Sequence, residues 1–220
     1  MQVKMTADAS GAYYAGLAGD VVLIVDVIDM STTLECAIEA GCSAVYGAAP
    51  DFATPPVPVN PEVLGYKVGT ESFRKGIPIL LVSEPRWGTE SDLKNNAKRV
   101  TCGIKKAGGT IEGFIPNLGL STVKECNFKN KLVIAVTNAG GTAFDAAFNS
   151  GGLVLTGTIA RTTKHKGNLP AMIAAKRAVS MAKETKKNIS IIASSANSLE
   201  DVLAAEYIMQ KALELHRCQA

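Results

Sequence analysis

Short runs of aliphatic and β-branched residues recur along the chain. Each ends in a polar or glycine-rich turn, and most are followed by apolar residues at helical spacing. The first, Val21–Val27 (VVLIVDV), predicts a buried parallel strand with an acid inside it. Leu34–Ala40 behind it has helical spacing. Ser31 or Thr32 is placed to cap that helix, Glu35 to close a capping box, and Gly41 to stop it. Ser43–Ala48 reads as a second strand, completing a βαβ unit. Asp51–Gly65, with Pro50, Pro55, Pro56, Pro58 and Pro61 in or beside it, predicts an irregular surface loop.

Farther along, Glu71–Gly76 looks like a helix end, and Ile77–Val82 like a strand running into Ser83-Glu84-Pro85-Arg86-Trp87-Gly88. Ser91–Ala107 predicts a polar helix. Lys131–Val136 predicts a strand, followed by the turn Thr137–Thr142 (TNAGGT) and a helix over Ala143–Asn149. Leu153–Leu155 is a short strand ending at Gly157-Thr158. Pro170–Lys186 is amphipathic, with Met172, Ile173, Val179 and Met181 on its apolar side. Ile189–Ala193 predicts a strand, and Ser198–Leu215 a last helix capped by Ser198. Strand and helix alternate about five times, without a repeat or a linker. This predicts one α/β domain over residues 1–220, built on a largely parallel sheet with helices on both faces.

Composition narrows the function classes. The chain has 220 residues, 47% hydrophobic and 20% charged, enough to bury a core without disulfides. Its net charge of +3 is spread out, and no basic face interleaved with aromatics argues for nucleic acid. The five cysteines show no CxxC spacing, and two histidines are too few for the usual zinc sites. Reduced thiols and an N-terminus without an apolar leader predict a cytoplasmic protein. No run is long enough to span a membrane. A homodimer is compatible with the sequence.

In open α/β sheets, ligands sit beyond the carboxyl ends of the strands. Polar residues collect there in this chain: Asp26 and Asp29; Glu84 and Arg86; Asn138 with Gly140, Gly141 and Thr142; Thr158 and Arg161; and Ser194, Ser195, Asn197, Glu200 and Asp201. Asp26 within an apolar run needs a partner, a metal ion or a proton-transfer role, or else caps a neighbouring turn. The Thr137–Thr142 turn either cradles an anion with its amides or is a plain turn. It lacks the lysine of a GxxxxGK[ST] loop, and no GxGxxG follows a strand. Glu84 and Arg86 form either a metal–oxyanion site or a surface ion pair, and Arg161 either an anion clamp or a solvated cation. Glu200 and Asp201 either serve the site or only favour the helix dipole.

Several segments together resemble the 2-phosphosulfolactate phosphatases of coenzyme M biosynthesis. Ile24–Thr33 is similar to that family's VIDVLRATTT, Ser83-Glu84-Pro85-Arg86 to its Gly-Glu-Arg turn, and Gly113–Asn117 continuing to Ser121 to its GFDLGNSP. Val136–Thr142 resembles its TTNGT turn, Gly157–Thr162 its GS-x-x-NA, and Asn197–Glu206 its FSLEDVLAAG. The order holds from about Val21 to Ile208. The resemblance implies an α/β fold of the family's own type. It also implies a Mg²⁺-dependent phosphatase acting on 2-phospho derivatives of 2-hydroxy acids. Asp26, Glu84 and Asp201 would then be catalytic, with Asp26 and Glu84 holding Mg²⁺. Asp29, Ser31, Thr32, Arg86, Asn117, Asn138, Gly141, Thr142, Thr158, Arg161 and Glu200 would bind the small anionic substrate. The chain departs from the family's pattern in carrying Asp29 for an arginine, Arg161 for an asparagine, Ser83 for a glycine, an added Pro85, and Glu206 for a glycine. Those exchanges leave open a small-anion-binding protein on the same fold, or a hydrolase with another substrate.

Overall fold

The structure, a computed structural model, describes residues 1–28 and 30–217; the candidate Asp29 and Cys218 lie outside the described residues. The chain runs through β1 (Val3–Ala7), α1 (Asp8–Leu17), β2 (Val21–Val25), α2 (Met30–Glu39), β3 (Ala44–Ala48), α3 (Pro61–Lys75) and β4 (Ile79–Ser83). It continues with α4 (Glu90–Asn96), α5 (Lys98–Lys106), β5 (Ile111–Pro116), a 3-10 turn (Gly119–Lys124), β6 (Leu132–Val136) and α6 (Ala139–Asn149). It ends with β7 (Leu153–Gly157), α7 (Leu169–Thr185), β8 (Ile189–Ala193) and α8 (Leu199–Arg217).

The expected α/β architecture is present, but with two parallel sheets in place of one. Their strand orders are β1-β8-β2-β7 and β3-β6-β4-β5. In each sheet the two inner strands are buried along their whole length, which is why they read as unbroken apolar runs. The helices α2 and α6 each touch strands of both sheets and so form the layer between them. The helices α7 and α8 cover the outer face of the first sheet with small side chains such as Ala171, Ala174, Ala178 and Ala205. The second sheet is backed by α3 and α5, which press together at glycines. A Cβ on Gly103 would lie 2.0 Å from the Glu62 carbonyl oxygen, and one on Gly65 2.2 Å from that of Val100.

Several predicted boundaries move. β2 stops at Val25, so Asp26 lies just beyond the strand and not within it. Helix α2 begins at Met30, which places Ser31 and Thr32 inside its first turn, where they do not cap. Glu35 makes no capping box. It meets the Arg177 guanidinium at 2.6 Å, and burial pushes its carboxyl up while that guanidinium pulls it down. The proline-rich loop ends at Asn60, whose side chain accepts from the Val63 amide, and Pro61 takes the first helical position. The polar helix is two helices, α4 and α5, meeting at Ala97. Helix α6 starts at Ala139, four residues earlier than predicted.

Two pairs of elements escaped the pattern reading. β1 is an edge strand with alternately half-buried residues, and α1 holds Gly11 and Gly16. Gly16 belongs there because α1 presses on α6: a Cβ would lie 2.6 Å from the Ala147 carbonyl oxygen. β5 is an edge strand of the second sheet, its residues only partly buried, and the 3-10 turn follows it.

Phe144 on α6 is 1% exposed and makes edge contact with Tyr46 of β3. Truncating such a core ring costs roughly 3–5 kcal/mol through lost burial and the cavity left behind. Phe144→Ala should therefore lower the urea midpoint by a corresponding amount with little change in the m-value.

Candidate functional site

The carboxyl ends of β1, β8 and β6 and the loop after β3 enclose a cleft of about 590 Å³. Its walls carry Asp8 and Ser10, the Phe52–Pro56 segment, Asn138, Ala139 and Thr142, and Ser194, Ser195 and Asn197. Asn138, Thr142, Ser194, Ser195 and Asn197 are strand-end candidates that the structure brings together. The lining includes no Lys or Arg. Its hydrogen-bonding groups are therefore neutral hydroxyls, amides and the start of α6, beside the carboxylate of Asp8.

Thr142 stands out among them. The residue is 5% exposed, and its Oγ1 is buried without a hydrogen-bond partner while it lines the cleft. A buried hydroxyl left unmatched costs roughly 1–3 kcal/mol, so an acceptor brought to the start of α6 would gain by meeting it. Asn138 precedes the helix and is exposed, and its side chain does not cap it. The two glycines after it do not form an open cradle. The Gly140 amide donates to Asp26 Oδ2 at 3.0 Å and the Gly141 amide to Thr137 Oγ1 at 2.8 Å. A Cβ at Gly140 would fall 2.2 Å from Asp26 Oδ2, and one at Gly141 2.2 Å from the Ala48 carbonyl oxygen. Close approach is what these glycines provide.

Several of the remaining candidates line neither this cleft nor the next and instead bond to one another and to backbone groups near the strand ends. Ser31 Oγ accepts from the Asp26 amide at 3.0 Å and donates to the Ile24 carbonyl oxygen at 3.1 Å. Thr32 Oγ1 donates to the Val27 carbonyl oxygen and lies 3.0 Å from Thr158 Oγ1, and both residues are buried. Thr33 donates to Asn117 Oδ1 at 2.5 Å, while the amide nitrogen of the fully buried Asn117 has no partner. Asp201 accepts from the Val27 amide at 2.9 Å and from Ser194 Oγ at 2.7 Å, joining β2 to the start of α8.

Glu84 and Arg86 line a second cleft with Pro85, Asn96 and Phe52, and Phe52 is common to both clefts. The Arg86 guanidinium donates to the Ile28 carbonyl oxygen at 3.3 Å. Arg161 and Glu200 line neither cleft. Glu200 accepts from Ser198 Oγ at 3.2 Å at the exposed start of α8. Arg161 is exposed in a segment drawn toward the far end of α2, where Glu39 binds the hydroxyls of Thr162 and Thr163, the Lys164 amide and His165 Nδ1. Burial pushes the Glu39 carboxyl up, but those bonds together outweigh it and hold it below its ordinary value. Among the described residues, no three His, Cys, Asp or Glu side chains converge on one point.

Sequence reasoning missed the contributions of β1 and the proline-rich loop. Asp8 has φ 63°, a left-handed conformation costly for a residue with a Cβ, and its Oδ1 accepts from the Ala196 amide at 2.9 Å. Such strain concentrates at functional sites. Asp145 of α6 anchors the loop that carries Phe52. It accepts from the amides of Ala49 at 3.1 Å and Asn60 at 2.7 Å and from Asn149 Nδ2 at 2.7 Å. Burial raises its carboxyl to about 6 despite these donors.

From about pH 4 to pH 6, therefore, the folded chain keeps a proton on Asp145 that the unfolded chain has lost. The stability this proton brings is full below that window and gone above it. Urea midpoints measured across the window should fall with rising pH, and that part of the slope should vanish in Asp145→Asn. No family model and no curated protein matches the chain.

Proposed function

We propose that the chain is a phosphatase that binds a small phosphorylated acid in the cleft between α6 and β8 and cleaves its phosphomonoester. The substrate class is the 2-phospho derivatives of 2-hydroxy acids, in keeping with the resemblance to 2-phosphosulfolactate phosphatases. The observation that carries the reading is the partnerless hydroxyl of Thr142. It lies in the first turn of a helix whose N-terminus opens on the cleft. Phosphate or carboxylate oxygens would accept from Thr142 Oγ1, the Asn138 side chain and the hydroxyls of Ser194 and Ser195.

The cleft's own donors are neutral, so the countercharge would come from Arg86 across Phe52. Mg²⁺ commonly takes only one or two carboxylates, the rest of its shell being water and substrate phosphate oxygens. Glu84 would supply one, and the second would be Asp26, which lines neither cleft and whose Oδ2 already accepts the Gly140 amide; the ion would polarise the phosphoryl oxygens. Glu84, half-buried on the wall of the adjoining cleft, is the carboxylate we assign to orienting the attacking water. The thiols of Cys36, Cys42, Cys102 and Cys126 are unpaired. That fits a cytoplasmic enzyme, and no described helix is long and apolar enough to cross a membrane.

One observation favours a second reading, a binding protein without turnover. Both oxygens of Asp201 are already engaged with Val27 and Ser194, so one of the three expected acids serves the fold.

Phosphate release from a panel of phosphorylated 2-hydroxy acids, with Mg²⁺ and then with EDTA, separates the readings. Release that stops on chelation supports the phosphatase. Thermal stabilisation by the same compounds without release supports the binding protein, and neither response refutes both. In the enzyme, Thr142→Val should raise KM roughly tenfold or more, the loss of a hydrogen bond to a charged group. The melting temperature should hold or rise, because the hydroxyl removed has no partner in the ligand-free chain.

A further inference from the structure

A second groove, of about 680 Å³, lies away from the strand ends, between the outer edge of β5 and the helices α4 and α5. Four consecutive residues of β5, Ile111 to Phe114, line one side of it. Among the described residues, β5 pairs with β4 alone. Its other edge therefore presents the unpaired backbone N–H and C=O groups of any edge strand. At Gly113 a Cβ would meet nothing within 4 Å. Glycine inside a strand leaves room for another backbone to come close.

The opposite wall is a helix face. Lys98, Thr101, Cys102 and Lys105 follow the i, i+3, i+4, i+7 spacing of one side of α5. The Thr101 hydroxyl is buried without a partner. The acids in the groove are already matched, Glu90 by Lys94 at 2.8 Å and Glu112 by Lys131. Lys98 and Lys105 make no ion pair among the described residues and leave the groove cationic. They lie two helical turns apart, roughly 10 Å along the axis, about the length of three extended residues.

We propose that this groove is a docking site for an extended acidic segment of a partner protein, which adds as a fifth strand to the β3-β6-β4-β5 sheet. Main-chain hydrogen bonds to β5 would supply affinity, and carboxylates facing Lys98 and Lys105 would supply selectivity and speed of encounter. A second copy of this chain is the less fitting occupant. A twofold pairing through β5 would bring two α5 faces of the same sign toward one another.

The test uses a labelled peptide of alternating valine and glutamate, six residues long to match β5, with fluorescence anisotropy as the readout. Two control peptides accompany it, one with lysine for glutamate and one with alternate backbone amides methylated. The acidic peptide should bind and protect the amides of residues 111–116 from hydrogen exchange, and both controls should fail. The double variant Lys98→Glu, Lys105→Glu changes only exposed side chains and should keep its circular dichroism spectrum. It should weaken binding roughly tenfold or more, with the gap closing at high salt. The proposal is overturned if the acidic peptide does not bind at millimolar concentration or binds equally well when methylated. Protection confined to other residues overturns it too, as does sedimentation showing a dimer that Gly113→Pro dissociates.

Discussion

A buried hydrogen bond between Asp26 and Gly140 ties the two sheets together where their strands end. The Asp26 carboxylate, at the tip of β2, accepts the Gly140 amide from the first turn of α6, which follows β6 of the other sheet. The contact is 4% exposed at Asp26 and admits no side chain at position 140. A carboxylate at a helix N-terminus is favoured by the orphan amides there and by the helix dipole. A lone charge in the same place would be expensive. The Gly140 amide thus helps to make the burial of Asp26 tolerable, and the bond holds the start of α6 against the tip of β2.

The rest of the strand-end region is arranged around that joint. Ser31 fastens the Asp26 amide, Asp201 fastens that of Val27, and Thr32 meets Thr158 of the loop after β7. These hydroxyls and carboxylates satisfy backbone groups that a sharp, buried turn would otherwise leave unpaired. With these groups bonded to one another and to the backbone, the polar groups that line the clefts are others. They are Asn138 and Thr142 on α6, Ser194 and Ser195 after β8, and Arg86 and Glu84 beyond Phe52.

Burial and edge position explain what was legible in the sequence. The inner strands could be read because burial on both faces leaves uninterrupted apolar runs, and their polar ends could be read because each run stops at a residue unable to continue it. The division into two sheets could not. Strand partners are chosen by long-range packing, and β2 and β3, adjacent in the chain, belong to different sheets. The edge strands β1 and β5 were hidden by partial exposure, and α1 by its glycines. At the site, residue types revealed the location more than the roles. Ser31, Thr32, Thr158 and Asp201 sit where expected but hold the backbone. Arg161 is drawn aside by the Glu39 contacts, which no local pattern encodes. Gly140 and Gly141 left open an anion cradle or a plain turn, and their close approach to Asp26 and Ala48 is a packing role that no local pattern encodes.

The central claim is that an anion binds at the start of α6, against Thr142. Mapping amide chemical shifts during titration with a phosphorylated 2-hydroxy acid tests it most directly. Saturable shifts should concentrate at residues 138–142 and 194–197, with smaller ones at Phe52 and Arg86. Shifts confined to the Arg161 loop, or none at any concentration, would contradict it.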